Sequence, residues 1–128
     1  MTGPAALVDA YLQACEDRDL ATASGYLAPG VRMQFPGGVT YASLEDMVAA
    51  PKPYAWVRKH RDRYEVGTDG DRTTVVSTGR LHGRRHDGSE FADVRYIDLF
   101  TLRADLIVEQ LVWNDLPLAG PWPASTTA

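Results

Sequence analysis

Cysteine is almost missing from this 128-residue chain, in which Cys15 stands alone. An intrachain disulfide and a cysteine-rich zinc site are therefore excluded, and a reducing compartment suits the chain. Histidine is scarce too: His60, His82 and His86 scatter across two faces, the acids near them fall in the wrong phase, and no metal set is expected. No apolar run approaches the ~20 residues of a membrane span. The opening Met1-Thr-Gly-Pro-Ala-Ala puts no basic segment ahead of an apolar stretch. No membrane partner and a cytoplasmic location are the expectations. No glycine-rich loop leads a strand into a helix, so neither a nucleotide nor any other cofactor is expected. An excess of positive charge is also lacking, since 13 Lys and Arg face 17 Asp and Glu for a net charge of -4. That balance argues against a nucleic-acid partner. The arginines at Arg58–Arg63 and Arg80–Arg85 are interleaved with acids and read as solvated faces.

The 45% hydrophobic content supplies one core at this length and not two. The expected organisation is a single domain over residues 1–128, with a core from about 4 to 118 and a loose Pro- and Ala-containing tail at 119–128. Pro4 marks a first helical turn, and Leu7, Val8, Tyr11, Leu12 and Cys15 recur at helical spacing. Asp19 opens a second short helix to about Leu27, ended by Pro29-Gly30. Val31, Met33 and Phe35 then alternate as a strand, and Pro36-Gly37-Gly38 turns it towards Val39–Tyr41. Ser43 with Asp46 caps a third helix. Pro51 and Pro53 break that helix, and a second piece over Tyr54–Lys59 would put Trp56 and His60 on one side. Strand pattern follows from Arg61 onward, with turns at Thr68–Asp71 and Asp87-Gly88. Helices first and a strand meander afterwards predict an α+β fold.

If Asp87 and Gly88 are the two turn residues of a hairpin, paired residues have numbers that sum to 175 and share a face. Ala92, Val94, Tyr96 and Asp98 then fall with Ser77, Gly79, Leu81 and Gly83, a small and apolar set with one acid. Asp93, Arg95 and Ile97 fall with Thr78, Arg80 and His82 on the opposite, outer face. A β-bulge would invert every assignment beyond it.

The order of Tyr11-Leu-Gln-Ala-Cys-Glu-Asp-Arg-Asp-Leu20, Tyr96-Ile-Asp-Leu-Phe-Thr-Leu102, Leu106-Ile-Val-Glu109 and Trp113-Asn-Asp115 resembles the nuclear transport factor two-like superfamily. Within it, the chain is most similar to the ketosteroid-isomerase-like and SnoaL-type polyketide-cyclase branches. The resemblance implies a cystatin-like, cone-shaped roll: a strongly curved, mixed, mostly antiparallel sheet covered by three N-terminal helices. By the same resemblance Tyr11 and Asp98 match the oxyanion donors of the isomerases, Asp98 as a protonated acid in an apolar site. Their general-base position falls on Phe35, which takes no proton. In the scytalone-dehydratase-like branch a histidine ending the third helix acts with a helix-one acid and a tyrosine; His60, Glu16 and Tyr11 match these. The acid and arginine set of limonene-epoxide-hydrolase-like proteins is not evident, because Asp93 and Arg95 lie in the outward phase.

The expected function is cofactor-free general acid-base catalysis of isomerase, cyclase or lyase type, with Asp98, Tyr11 and His60 as catalytic residues. Phe35, Trp56, Tyr96, Phe100, Val112 and Asn114 are the expected lining for a small hydrophobic substrate, polycyclic ones included. The alternatives are a small-molecule-binding protein on the same scaffold, favoured by Phe35, and a homodimeric interaction module, favoured by Leu111 and Trp113 in the outward phase.

Overall fold

The computed structural model describes residues 2–116. The expected tail at 119–128, and the core end at Leu118, lie outside the described residues. Helix α1 spans Gly3–Glu16 with proline in its first turn, and buries Val8, Tyr11, Leu12 and Ala14 at three- and four-residue spacing. Helix α2, Leu20–Ser24, starts where Asp19 accepts a hydrogen bond from the Thr22 N–H, but it ends three residues short of Leu27. Pro29 and Gly30 do not terminate it; they belong to strand β1, Leu27–Phe35. Gly30 has φ 75° and lies where the register of β1 slips between Leu27 and Arg32. Gly adopts that backbone at no steric cost. Strand β2, Val39–Tyr41, follows the expected turn, and helix α3, Leu44–Ala49, is capped by Ser43 Oγ accepting from the Asp46 N–H.

Strand β3, Trp56–Asp69, corrects the sequence reading of its first residues as the end of the third helix. Pro51 and Pro53 bias the residues before them toward extended backbone. The chain then alternates, with Val57, Lys59 and Arg61 half-buried and Trp56, Arg58 and His60 exposed. Positions four apart share a face in a helix and in a strand alike. The pairing of Trp56 with His60 therefore survives, but on the outer side of the sheet.

Strands β4 (Arg72–Arg84), β5 (Glu90–Arg103) and β6 (Leu106–Asn114) complete one six-stranded sheet in the order β2-β1-β6-β5-β4-β3. Only the β1–β6 pair is parallel. The β4–β5 hairpin closes through Arg85 and Ser89 rather than through a two-residue turn, with the Arg85 N–H donating to the Ser89 carbonyl and Gly88 at φ 90°. A bulge at Ala92-Asp93, with Asp93 at φ 57°, adds the residue that the longer loop subtracts. The two offsets cancel, so Ser77 faces Asp98 and Gly79 faces Tyr96 as the sum of 175 requires. Only the hairpin end departs: Phe91 is buried and Ala92 exposed.

The core falls into two clusters. One packs Val8, Tyr11, Leu12, Met33, Phe100 and Ile107 under the helices, and the other packs Leu81, Phe91, Val94 and Tyr96 near the hairpin end. Helix α1 is tied to β3 by a polar seam. Arg61 Nε meets Asp9 Oδ1 at 2.8 Å and Arg61 Nη2 donates to Gln13 Oε1 at 2.7 Å. The Tyr64 hydroxyl donates to Asp9 Oδ1 at 2.6 Å, and the Lys59 backbone N–H to Glu16 Oε1 at 2.7 Å. Asp9, Gln13 and Glu16 stand four and three residues apart, one helix face.

Gly79 lets β3 lie close over β4. A Cβ at Gly79 would run into the His60 carbonyl oxygen and come within 2.9 Å of the Tyr96 ring. The obstacle at His60 is backbone, which cannot swing aside. Gly79→Ala is expected to lower unfolding free energy by about 1–3 kcal/mol in urea denaturation; unchanged stability would show that β3 has room to retreat.

Candidate functional site

Beneath α1 lies a cavity of about 130 Å³ walled by Leu12, Phe35, Met47, Val57, Leu81 and Val112, with polar lining that includes Glu16, Arg18, Lys59, Gln110 and Asn114 and the hydroxyl- and thiol-bearing Tyr11, Cys15 and Tyr54. Lys59 is the residue that the sequence reading passed over. It is next to His60, and β3's alternation turns it inward while His60 turns out. Its Nζ lies 2.9 Å from Asp98 Oδ2 and 5.2 Å from the centre of the Tyr96 ring, with the side chain 21% exposed and that of Asp98 fully buried.

Asp98 is thus inside, as its hairpin register requires, but it does not line the cavity; Lys59 covers it. Neither carboxylate oxygen receives a well-directed hydrogen bond among the described residues, so the ammonium holds the acid chiefly by charge. Burial pushes the Asp98 carboxyl above the ordinary aspartate value, against the pull of the Lys59 charge. For Lys59 burial favours the neutral amine, but the charge of Asp98, with Tyr96 and Cys15 adding, outweighs it and raises its pKa.

Tyr11 lines the cavity, fully buried, and donates from its hydroxyl to Gln110 Oε1 at 3.0 Å. Burial, then the neighbouring Cys15, drive its pKa upward, so it remains a neutral phenol. Gln110 has its amide oxygen engaged by Tyr11, which leaves the amide N–H groups as donors to the cavity. Burial likewise raises the Cys15 thiol, against the pull of the Lys59 charge, and a neutral thiol is a poor nucleophile. Tyr96 lies beneath Lys59 with its hydroxyl 3.0 Å from Ser77 Oγ.

Of the expected lining, Phe35, Val112 and Asn114 wall the cavity. Phe100 and Tyr96 do not: Tyr96 is screened by Lys59, and Phe100 stands in the core with its ring centre 5.9 Å from that of Tyr11, edge to face. Trp56 is 42% exposed and packs edge-on against His82 on the outer face. His60 is there too, 64% exposed and 3.1 Å from Asp62 Oδ1. Its expected place at a helix end beside the pocket is corrected by strand β3. The signal for Lys59 was legible: Val57, Lys59 and Arg61 alternate with exposed neighbours, and an aliphatic lysine stem tolerates burial.

A family model described as the SnoaL-like domain matches residues 8–110. The chain belongs to the SnoaL-like family. An NTF2-like protein of unknown function from Burkholderia pseudomallei superposes with TM-score 0.68 at 21% identity, over 88% of this chain and 91% of that one. TerC, crystallised with polyporic acid, gives TM-score 0.67 at 18% identity over 86% and 89%. A candidate ketosteroid isomerase from Shewanella frigidimarina gives 0.67 at 16% over 84% and 91%. These likenesses establish the NTF2-like fold of this SnoaL-like domain. No curated protein matches the chain. Among the described residues no group of three or more His, Cys, Asp and Glu is placed to hold a metal ion, and no helix is long and apolar enough to cross a membrane.

Removing one member of the buried pair strands the other. Asp98→Asn is expected to cost about 3–5 kcal/mol in urea denaturation, and Lys59→Met combined with Asp98→Asn to recover most of it; equal loss in the single and double variants would contradict the pairing. Because the folded-state pKa of Lys59 is raised, its contribution is complete below the unfolded lysine value and is lost as pH rises through the folded one. Stability measured from pH 9 to 12 should therefore fall more steeply for the wild type than for Lys59→Met.

Proposed function

We propose that this SnoaL-like domain is a cofactor-independent enzyme that polarises a carbonyl oxygen of a small hydrophobic substrate with the Lys59 ammonium. The observation that carries the reading is that a buried acid, Asp98, holds a cation at the wall of an apolar cavity. A buried ion pair adds little stability over a well-packed apolar pair, so stability alone does not account for it. A cation fixed where negative charge develops lowers a barrier without reorganising water. The Gln110 amide is the second donor, oriented by Tyr11.

Phe35 leaves the base to another group. Glu16 is the carboxylate among the residues lining this cavity, and its Oε1 is anchored by the Lys59 N–H. Glu16 takes the proton from the carbon beside the carbonyl, and the electron pair moves to the oxygen that Lys59 and Gln110 hold. Return of that proton at a different carbon gives an isomer. Here Asp98 acts through Lys59 and not as a protonated donor to the substrate. His60 has no part.

Two measurements separate catalysis from binding. Phenol affinity, read by tyrosine and tryptophan fluorescence, should fall roughly tenfold in Lys59→Met, a loss of about 1.4 kcal/mol. Exchange of the α-protons of a cyclic enone into D2O should be accelerated by the wild type and fall by about 100-fold or more in Glu16→Gln, whose phenol affinity stays within a factor of about three. Phenol binding without any acceleration of exchange would favour the binding-protein reading, and phenol affinity untouched in Lys59→Met would remove Lys59 from the site.

A second reading concerns assembly. Ile97 and Trp113 are 46% and 53% exposed on the outer face, beside an open hollow of about 760 Å³ that is larger than the inner cavity but bordered by surface residues such as Thr78 and Arg95. Apolar side chains of that size in one patch suit a homodimer. Sedimentation should give a dimer that Trp113→Glu converts to a monomer; a wild-type monomer at high concentration rejects this reading.

A further inference from the structure

The inner cavity does not end at Phe35. A second cavity of about 240 Å³ adjoins it, and the two share Phe35, Tyr54, Asn114 and Leu116 as wall residues. Arg18 lines the inner cavity and Lys52 the outer one. Neither meets a carboxylate among the described residues. Arg18 donates to the Cys15 carbonyl at 2.6 Å, and Lys52 Nζ donates to the Met47 and Ala50 carbonyls at the end of α3. Glu16, the acid that shares the inner lining with Arg18, is engaged by the Lys59 N–H and by Arg61.

Two adjoining apolar chambers therefore each carry one cation in the wall, fixed by backbone carbonyls and paired with no carboxylate among the described residues. Like charges brought near one another without an acid between them repel, and an anion between them relieves that repulsion. Burial and the Arg18 charge both disfavour the Lys52 ammonium, which fits a cation whose partner arrives from outside. The chambers between them are lined by the flat surfaces of Phe35, Tyr41, Pro51, Pro53 and Tyr54.

We infer that the ligand is an elongated aromatic carboxylate, whose reacting oxygen sits on Lys59, whose rings fill the inner chamber and reach toward the outer one, and whose carboxylate is held between Arg18 and Lys52. The inference rests on the proposed role of Lys59, since that residue fixes the other end of the ligand. It explains why Lys59 and Arg18 in the inner cavity and Lys52 in the outer one stand at the walls of apolar chambers in a chain of net charge -4.

Matched probes separate the two claims. 4'-Hydroxybiphenyl-4-carboxylic acid carries a phenol and a carboxylate at opposite ends, and 4-hydroxybiphenyl carries the phenol alone. By calorimetry the acid should bind the wild type at least tenfold more tightly than the neutral phenol, with the margin shrinking as salt is raised. Lys52→Met and Arg18→Asn should each cut that margin to about threefold or less while leaving the affinity for 4-hydroxybiphenyl within about twofold. Asn suits position 18 because its backbone has φ 57°. Lys52→Arg should keep the margin, which separates lost charge from lost capping of α3. Lys59→Met should weaken both probes by a similar factor. Equal wild-type affinity for the two probes, with Lys59→Met weakening both, overturns the carboxylate site and leaves the Lys59 reading standing. No effect of Lys59→Met on either probe, or no wild-type binding of either, overturns both.

Discussion

The ion pair between Lys59 and Asp98 is the contact on which the interior depends. It places a charge that water would otherwise hold among Tyr11, Tyr96, Val57 and Leu81, and everything around it serves to make that placement tolerable. Asp98 comes from a central strand and is fully buried. Lys59 comes from the edge strand and is held by its own N–H on Glu16. The aromatic face of Tyr96 lies under the ammonium. A cation so fixed has one open side, and that side is the cavity.

Much of this was legible in the sequence. The fold class, helix α1, the caps at Asp19 and Ser43 and the β4–β5 register follow from periodicity and turn chemistry, and Asp98 was placed inside by its hairpin partner Ser77. The register survived for a reason the sequence does not display: a longer loop at Arg85–Ser89 and a bulge at Asp93 are opposite one-residue errors. Over residues 54–59 the sequence pattern misleads because Trp56 and His60, four apart, satisfy both periods. Tertiary pairing with β4 decided between them, and the result turned Lys59 rather than its neighbour His60 toward the interior.

Membership of the SnoaL-like family and the NTF2-like fold fix the scaffold more firmly than the reaction. By the ketosteroid-isomerase resemblance of the sequence, Tyr11, Phe35 and Asp98 match the positions of an oxyanion donor, a base and an acid. The local chemistry is different at all three: the Tyr11 proton is engaged by Gln110, Phe35 is apolar wall, and Asp98 lies under a lysine. A shared fold transmits the shape of a cavity; the charges inside it are set by individual side chains.

The central claim is that Lys59 presents a permanent ammonium to the cavity. Selective 15N detection of the Lys59 Nζ across pH 5–12 tests it most directly, with a phenol added at neutral pH. The account predicts an ammonium signal throughout the neutral range, a titration midpoint above the ordinary lysine value of 10.5, and a shift of the signal when the phenol binds. An amine that is already neutral at pH 7, or an ammonium signal indifferent to a phenol that binds, would contradict it.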